Sequence, residues 1–208
     1  MSKNAHSGPS YRRRAPFRPL RESFLILCEG KSTEPQYFNA FRLSTATVRA
    51  LPVTAGDAMA VVQSAIKRRE AEIAKGKEYD QYWVVFDKDA TPGGKFNEAI
   101  QLAESSGFHV AYSNQAFELW LLLHFDYISG PMDRRDYSPR LSAHLGFPYS
   151  KQTDTARLLF QALLGHQSRA LENARRLYNS YTGKRRNPAA EESSTTVYKL
   201  VEELRRFL

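Results

Sequence analysis

Two short apolar runs in this chain each end in acid. Phe24-Leu25-Ile26-Leu27-Cys28 leads into Glu29-Gly30, and Tyr82-Trp83-Val84-Val85-Phe86 leads into Asp87-Lys88-Asp89. Three carboxylates gathered in one place repel unless a proton or a cation sits among them. Oxygen donors suit a hard divalent ion, and magnesium typically takes one or two carboxylates together with waters and substrate phosphates. Magnesium or manganese is therefore the expected ion, with Asp87 and Asp89 as ligands and Glu29 as a third ligand or a proton-transfer group. Such a centre polarises a phosphoryl oxygen and orients an in-line displacement. On a strictly extended strand, Asp87 and Asp89 would point to one face. At a strand end entering a loop they can also splay around a single ion.

Other chemistries fit less well. Gly30-Lys31-Ser32-Thr33 resembles the end of a phosphate-binding loop, which needs a first glycine five positions before Gly30. That position is Leu25, inside the apolar run, so the glycine-rich cradle is missing. Gly30 is read instead as a tight turn beside the acids, with Lys31 as a phosphate neutraliser or an ordinary surface residue. No Gly-x-Ser-x-Gly elbow for acyl transfer is present. The one cysteine, Cys28, excludes an internal disulfide and a cysteine-rich zinc site, and reads as an inert buried thiol. Glu118 stands in the apolar stretch Phe117 to Phe125, where an unpaired charge is costly. It reaches the acid cluster, pairs with a basic partner, or sits at a water-facing edge. His124 reads as a hydrogen-bonded core or rim residue.

The elements that must carry these residues follow from periodicity. Apolar runs at 24–28, 48–53, 82–86 and 108–112 have the length and β-branched or aromatic content of buried strands. Between them lie helical patterns. Ser32-Thr33-Glu34-Pro35 opens one with a hydroxyl cap and a first-turn acid. Asp57 caps a longer one through about Lys75, with Met59, Val62, Ile66 and Ile73 inward and Lys67-Arg68-Arg69 outward. Phe96 to Ser105 and Phe117 to Phe125 are the others, the last capped by Asn114. This alternation predicts a parallel α/β sheet with right-handed crossovers. In such sheets ligands bind beyond the carboxyl ends of the strands, which is where Glu29, Asp87 and Asp89 fall. Residues 127–150 look irregular; helical patterns follow at 154–164, 167–180 and 194–207, and no strand signal returns. The expected organisation is a flexible basic arm over 1–21, an α/β domain over 22–126 and a helical extension over 127–208.

Charge narrows the partners. Lys plus Arg number 30 against 22 Asp plus Glu, a net charge of +8, which is the footprint of a polyanion binder. Basic residues recur as Arg12-Arg13-Arg14, Lys31, Arg134-Arg135, Arg140, Lys151, Arg175-Arg176 and Lys184-Arg185-Arg186. Tyr137, Tyr149, Tyr178 and Tyr181 interleave with the later ones. Aromatic residues among cations suit single-stranded nucleic acid; the same tyrosines would also serve as a seam between helices and sheet. No apolar run approaches a membrane span and no apolar signal core is seen, so a cytoplasmic protein is expected.

The assembled motifs resemble the RloB-like family, which includes abortive-infection proteins of the AbiLii type. The matching pieces are Cys28-Glu29-Gly30 with Thr33-Glu34-Pro35-x-Tyr37-Phe38, then Phe86-Asp87-Lys88-Asp89, then Ser113-Asn114-x-x-Phe117-Glu118-Leu119-Trp120 through His124-Phe125. Ser194-Thr195-Thr196-Val197 and the closing helix look like the end of the family pattern. The resemblance implies a Toprim-like fold: a compact parallel sheet between helices, with acids after two strands. It implies Glu29 as general acid/base and Asp87 and Asp89 as metal ligands, and a magnesium-dependent nuclease acting in phage defence beside a partner ATPase. The alternative is a non-catalytic module of the same system that binds nucleic acid or protein and keeps the fold without the chemistry.

Overall fold

A computed structural model describes residues 22–53, 56–150, 153–181 and 186–208, with backbone alone at 153–157. The basic arm over 1–21, Lys151, Lys184 and Arg185 lie outside the described residues. The elements are β1 (Glu22–Cys28), α1 (Thr33–Asn39), β2 (Ala46–Pro52), α2 (Ala58–Ile73), β3 (Gln81–Asp87), α3 (Gly93–Ser105) and β4 (His109–Asn114). They continue with α4 (Glu118–Leu122), α5 (Arg134–Leu145), α6 (Thr153–Leu164), α7 (Gln167–Ser180), a short 3-10 turn (Pro188–Ala190), β5 (Ser194–Thr195) and α8 (Val197–Arg205).

The sheet order is β2-β1-β3-β4-β5. β1 to β4 are parallel and β5 joins β4 antiparallel. Strand side chains alternate between the two faces, so each central strand feeds two cores. Phe24, Ile26, Cys28, Trp83, Val85 and Ala111 face a layer of α1, α4, α7 and α8. Leu25, Leu27, Val84, Phe86 and Tyr112 face α2 and α3. The result is a mostly parallel α/β sheet covered on both faces with helices following at the C-terminus, consistent with the Toprim-like expectation. Among the described residues no helix is long and apolar enough to cross a membrane.

Four local expectations are corrected. A strand does return after residue 126: Ser194 and Thr195 pair with Asn114 and Ser113. It is two residues long and polar, held by hydroxyls as much as by ladder bonds; Thr196 Oγ1 accepts from the Tyr112 N–H at 2.9 Å. Such a strand carries no apolar alternation to read. The stretch 127–150 holds α5, capped where Asp133 accepts from the Arg135 N–H and closed by Gly146 at φ 72°. Pro139 inside it and only two buried residues, Tyr137 and Leu141, hide its periodicity. In α2 the buried stripe is Ala58, Val61, Val62, Ala65 and Glu72, so Ile73 stands one helical step off it and is exposed. Glu72 can lie inward because Arg49 and Arg68 meet its carboxylate. Asn114 caps nothing: its side-chain amide donates to the Pro188 and Ala189 carbonyls, and α4 starts at Glu118.

The α4 helix is buried throughout and delivers His124 into the core just beyond its end. His124 Nδ1 lies 3.0 Å from the Trp120 carbonyl, which fixes that nitrogen as the donor, and Nε2 has no hydrogen-bond partner. Burial lowers its pKa from 6.5 to about 4. The unfolded chain therefore binds a proton that the folded one refuses. Stability is complete above about pH 6.5 and falls as the pH drops toward about 4, by up to about 3 kcal/mol for this group. His124→Asn keeps a side-chain N–H donor without the titration. Thermal melts across that range should show a smaller acid loss in the variant than in the wild type; parallel curves would contradict the assignment.

Candidate active site

β1 and β3 are neighbours, with Cys28 opposite Val85, so their ends coincide. The ladder runs one residue past β1: the Glu29 N–H donates to the Val85 carbonyl at 2.9 Å. That fixes the direction of Glu29, whose Oε2 accepts from the Asp87 backbone N–H at 3.0 Å. Asp87, the last residue of β3, is buried, and its Oδ2 accepts from the Phe117 N–H at 3.0 Å. One carboxylate thus ties the end of β3 to β1 and another ties it to the entry of α4.

Asp89 leaves the strand. The Lys88 N–H donates to the Ser113 carbonyl, and Asp89 then takes φ 42°, in the left-handed region that aspartate tolerates better than most residues. The two aspartates therefore splay rather than share a strand face. Asp89 Oδ1 lies 2.6 Å from Arg134 Nη1. Glu118, first residue of α4, is buried and accepts from the Tyr149 hydroxyl at 3.1 Å. Of its three possible placements it takes the first, at the cluster.

A fifth acid belongs here. Glu34, in the first turn of α1, is buried, and its carboxylate stands where a side chain on Gly30 would be. The sequence reads it only as the first-turn acid of α1. The available signal was its spacing: a glycine four residues before it, between two strand-end acids, leaves room for a carboxylate to fold back. Burial, then the charges of Glu34, Glu118, Glu29 and Asp89 in that order, push the Asp87 carboxyl well above the usual range. Those four groups act on one buried atom pair, which is the clearest sign that they converge. Tyr137, from α5, feels the same field: burial, with contributions from Glu118 and Asp87, moves its hydroxyl to about 12.

The convergence is not a finished ion cage. Among the described residues no group of three or more His, Cys, Asp or Glu side chains is arranged to hold a metal ion. The acid chemistry is present, while Asp89 is turned toward Arg134.

The basic residues divide. Lys31 is exposed beside the cluster, and Arg134 is at it. Arg135 is turned to Asp133, with Nε and Nη2 each about 2.9 Å or less from a carboxylate oxygen. Arg140 faces Asp126 at 3.5 Å. Arg186 pairs with Glu191 and lies over the Tyr178 ring, 3.5 Å from its centroid. It fastens the 186–191 segment to α7. A cavity of about 600 Å³ beside it, lined by Asn97, Gln101, Tyr112, Tyr178 and Lys199 among others, lies between α3 and α8, away from the acids.

No curated protein and no solved structure gives a significant match to this chain. Residues 24–204 match the family model described as RloB-like protein, a span that takes in all five acids and all five strands but the first residues of β1, and the chain therefore belongs to the RloB-like family.

Proposed function

We propose that this protein is a magnesium- or manganese-dependent nuclease that hydrolyses phosphodiester bonds of DNA or RNA. The observation that supports it is the convergence of Glu29, Glu34, Asp87, Asp89 and Glu118 from separate segments at the carboxyl edge of the sheet. The donors fit the ion: all are carboxylate oxygens, and the raised Asp87 carboxyl is that of a group awaiting positive charge. Asp87 and Asp89 would hold the ion, with Glu29 beside them, and the bound ion supplies Lewis-acid polarisation of a phosphoryl group. Glu29, held by the Asp87 N–H, takes the general acid/base role that the family resemblance implies. Glu118, held by the Tyr149 hydroxyl, adds a further buried carboxylate beside Asp87. Lys31 and Arg134, with Lys151, Lys184 and Arg185, would contact phosphates; Arg135 and Arg186, expected to join them, are instead held by Asp133 and Glu191. A cytoplasmic anti-phage role with a partner ATPase rests on the family resemblance.

A second reading, a binding module without chemistry, is favoured by one observation: no three-acid group among the described residues stands ready for an ion. One assay separates the two. The full chain is incubated with single- and double-stranded DNA and RNA, with magnesium or manganese or with EDTA. Cleavage that EDTA stops and Glu29→Ala lacks is expected. Binding with steep salt dependence but no cleavage in either metal would select the second reading.

A further inference from the structure

The Asp89–Arg134 contact has the features of a latch rather than a structural ion pair. Arg134 is the first residue of α5, and its neighbour Arg135 saturates the capping acid Asp133 through two well-aligned bonds. Arg134 is thereby left to Asp89. Its approach is of a different kind. Nη1 stands 2.6 Å from Asp89 Oδ1, yet that oxygen, sealed from solvent, has no aligned hydrogen bond. The contact is charge against charge, without the paired geometry that makes an arginine–carboxylate bond hard to exchange. The Arg134 side chain is 52% exposed and Asp89 28%, so the arginine can swing out with little desolvation cost.

Asp89 is also an acid that the proposed ion needs. An arginine and a divalent cation compete for one carboxylate, and a phosphate offers the arginine a better, two-pronged partner. We propose that Arg134 is a substrate-responsive latch: it occupies Asp89 in the free protein, and a nucleic-acid phosphate draws it away and opens Asp89 to the metal. This rests on the nuclease reading and adds regulation to it. By linkage, metal and phosphate then tighten each other's binding by the same factor.

Manganese titration by calorimetry on the full chain tests it, with wild type, Arg134→Ala and Arg135→Ala, each with and without thymidine bisphosphate. Arg135→Ala removes the same charge next door and controls for the general field. Arg134→Ala is expected to bind manganese roughly threefold tighter than wild type, the scale of an exposed ion pair. Arg135→Ala should stay near wild type. The bisphosphate should tighten manganese binding in wild type and in Arg135→Ala but not in Arg134→Ala. Equal affinities in wild type and Arg134→Ala, or the same gain in Arg135→Ala, would overturn the latch and leave the nuclease reading standing. No manganese binding in any of the three would overturn both.

Discussion

Asp87→Asn is expected to cut nuclease activity about a hundredfold or more and at the same time to raise the melting temperature. The two effects have one origin. Asp87 is buried among four other acids, and its carboxyl is pushed up first by burial and then by Glu34, Glu118, Glu29 and Asp89. A folded-state pKa raised above the unfolded 3.8 means that the folded chain holds the proton longer. Stability is therefore lost as pH climbs from the ordinary carboxylate range through the raised value. Asparagine keeps an oxygen for the Phe117 N–H and removes the charge. The gain in melting temperature should be small near about pH 4 and largest near about pH 8, with each 1 kcal/mol worth about 2–4 °C in a chain of this size. Magnesium should raise the melting temperature of the wild type and leave the variant nearly unmoved. Scanning fluorimetry and a cleavage assay on the same preparations check both halves. A variant that cuts like wild type ends the metal assignment; one that melts lower at pH 8 shows that the acids are not in conflict.

What the sequence could reveal here tracks how local each feature is. The runs ending at Cys28 and Phe86 announce buried strands by composition alone, and they lie side by side as β1 and β3. The meeting of Glu29 with Asp87 follows from that topology, because parallel neighbours end at one edge. The splaying of Asp89 does not follow, since it depends on a single left-handed residue after the strand. Glu34 was legible as a helix-opening acid, and that sufficient local explanation concealed its second role. Glu118 could be narrowed to three placements; the choice among them needed Tyr149, which arrives from the loop after α5. β5 and α5 were missed for opposite reasons. One is too short and polar to show a period, and the other is interrupted by Pro139 and buries only Tyr137 and Leu141. The partner of Arg134 was beyond reach, because two helices and a strand, α3, β4 and α4, separate it from Asp89 along the chain.

Gly30→Ala should lower activity by about ten- to a hundredfold while leaving stability within about 1 kcal/mol of wild type. Gly30 is not in the left-handed region, so its backbone accepts alanine. The conflict is spatial: a methyl group there would overlap the Glu34 carboxylate. That carboxylate is the far end of a flexible side chain, so it swings aside at small cost to the fold. Alanine also restricts the unfolded chain, which offsets part of any loss. The site does not escape so cheaply. Glu34 makes the largest charge contribution at Asp87, so moving it changes the field around the proposed ion. If displacement of Glu34 is the whole cause, removing Glu34 first should make the glycine irrelevant. Glu34→Ala alone should match or exceed the loss in Gly30→Ala, and the double variant should be no worse than Glu34→Ala. A double-mutant cycle reads this directly, since residues acting through one contact are not additive. Losses that add in the double variant would mean that Gly30 serves the turn itself, and that Glu34 merely lies beside it.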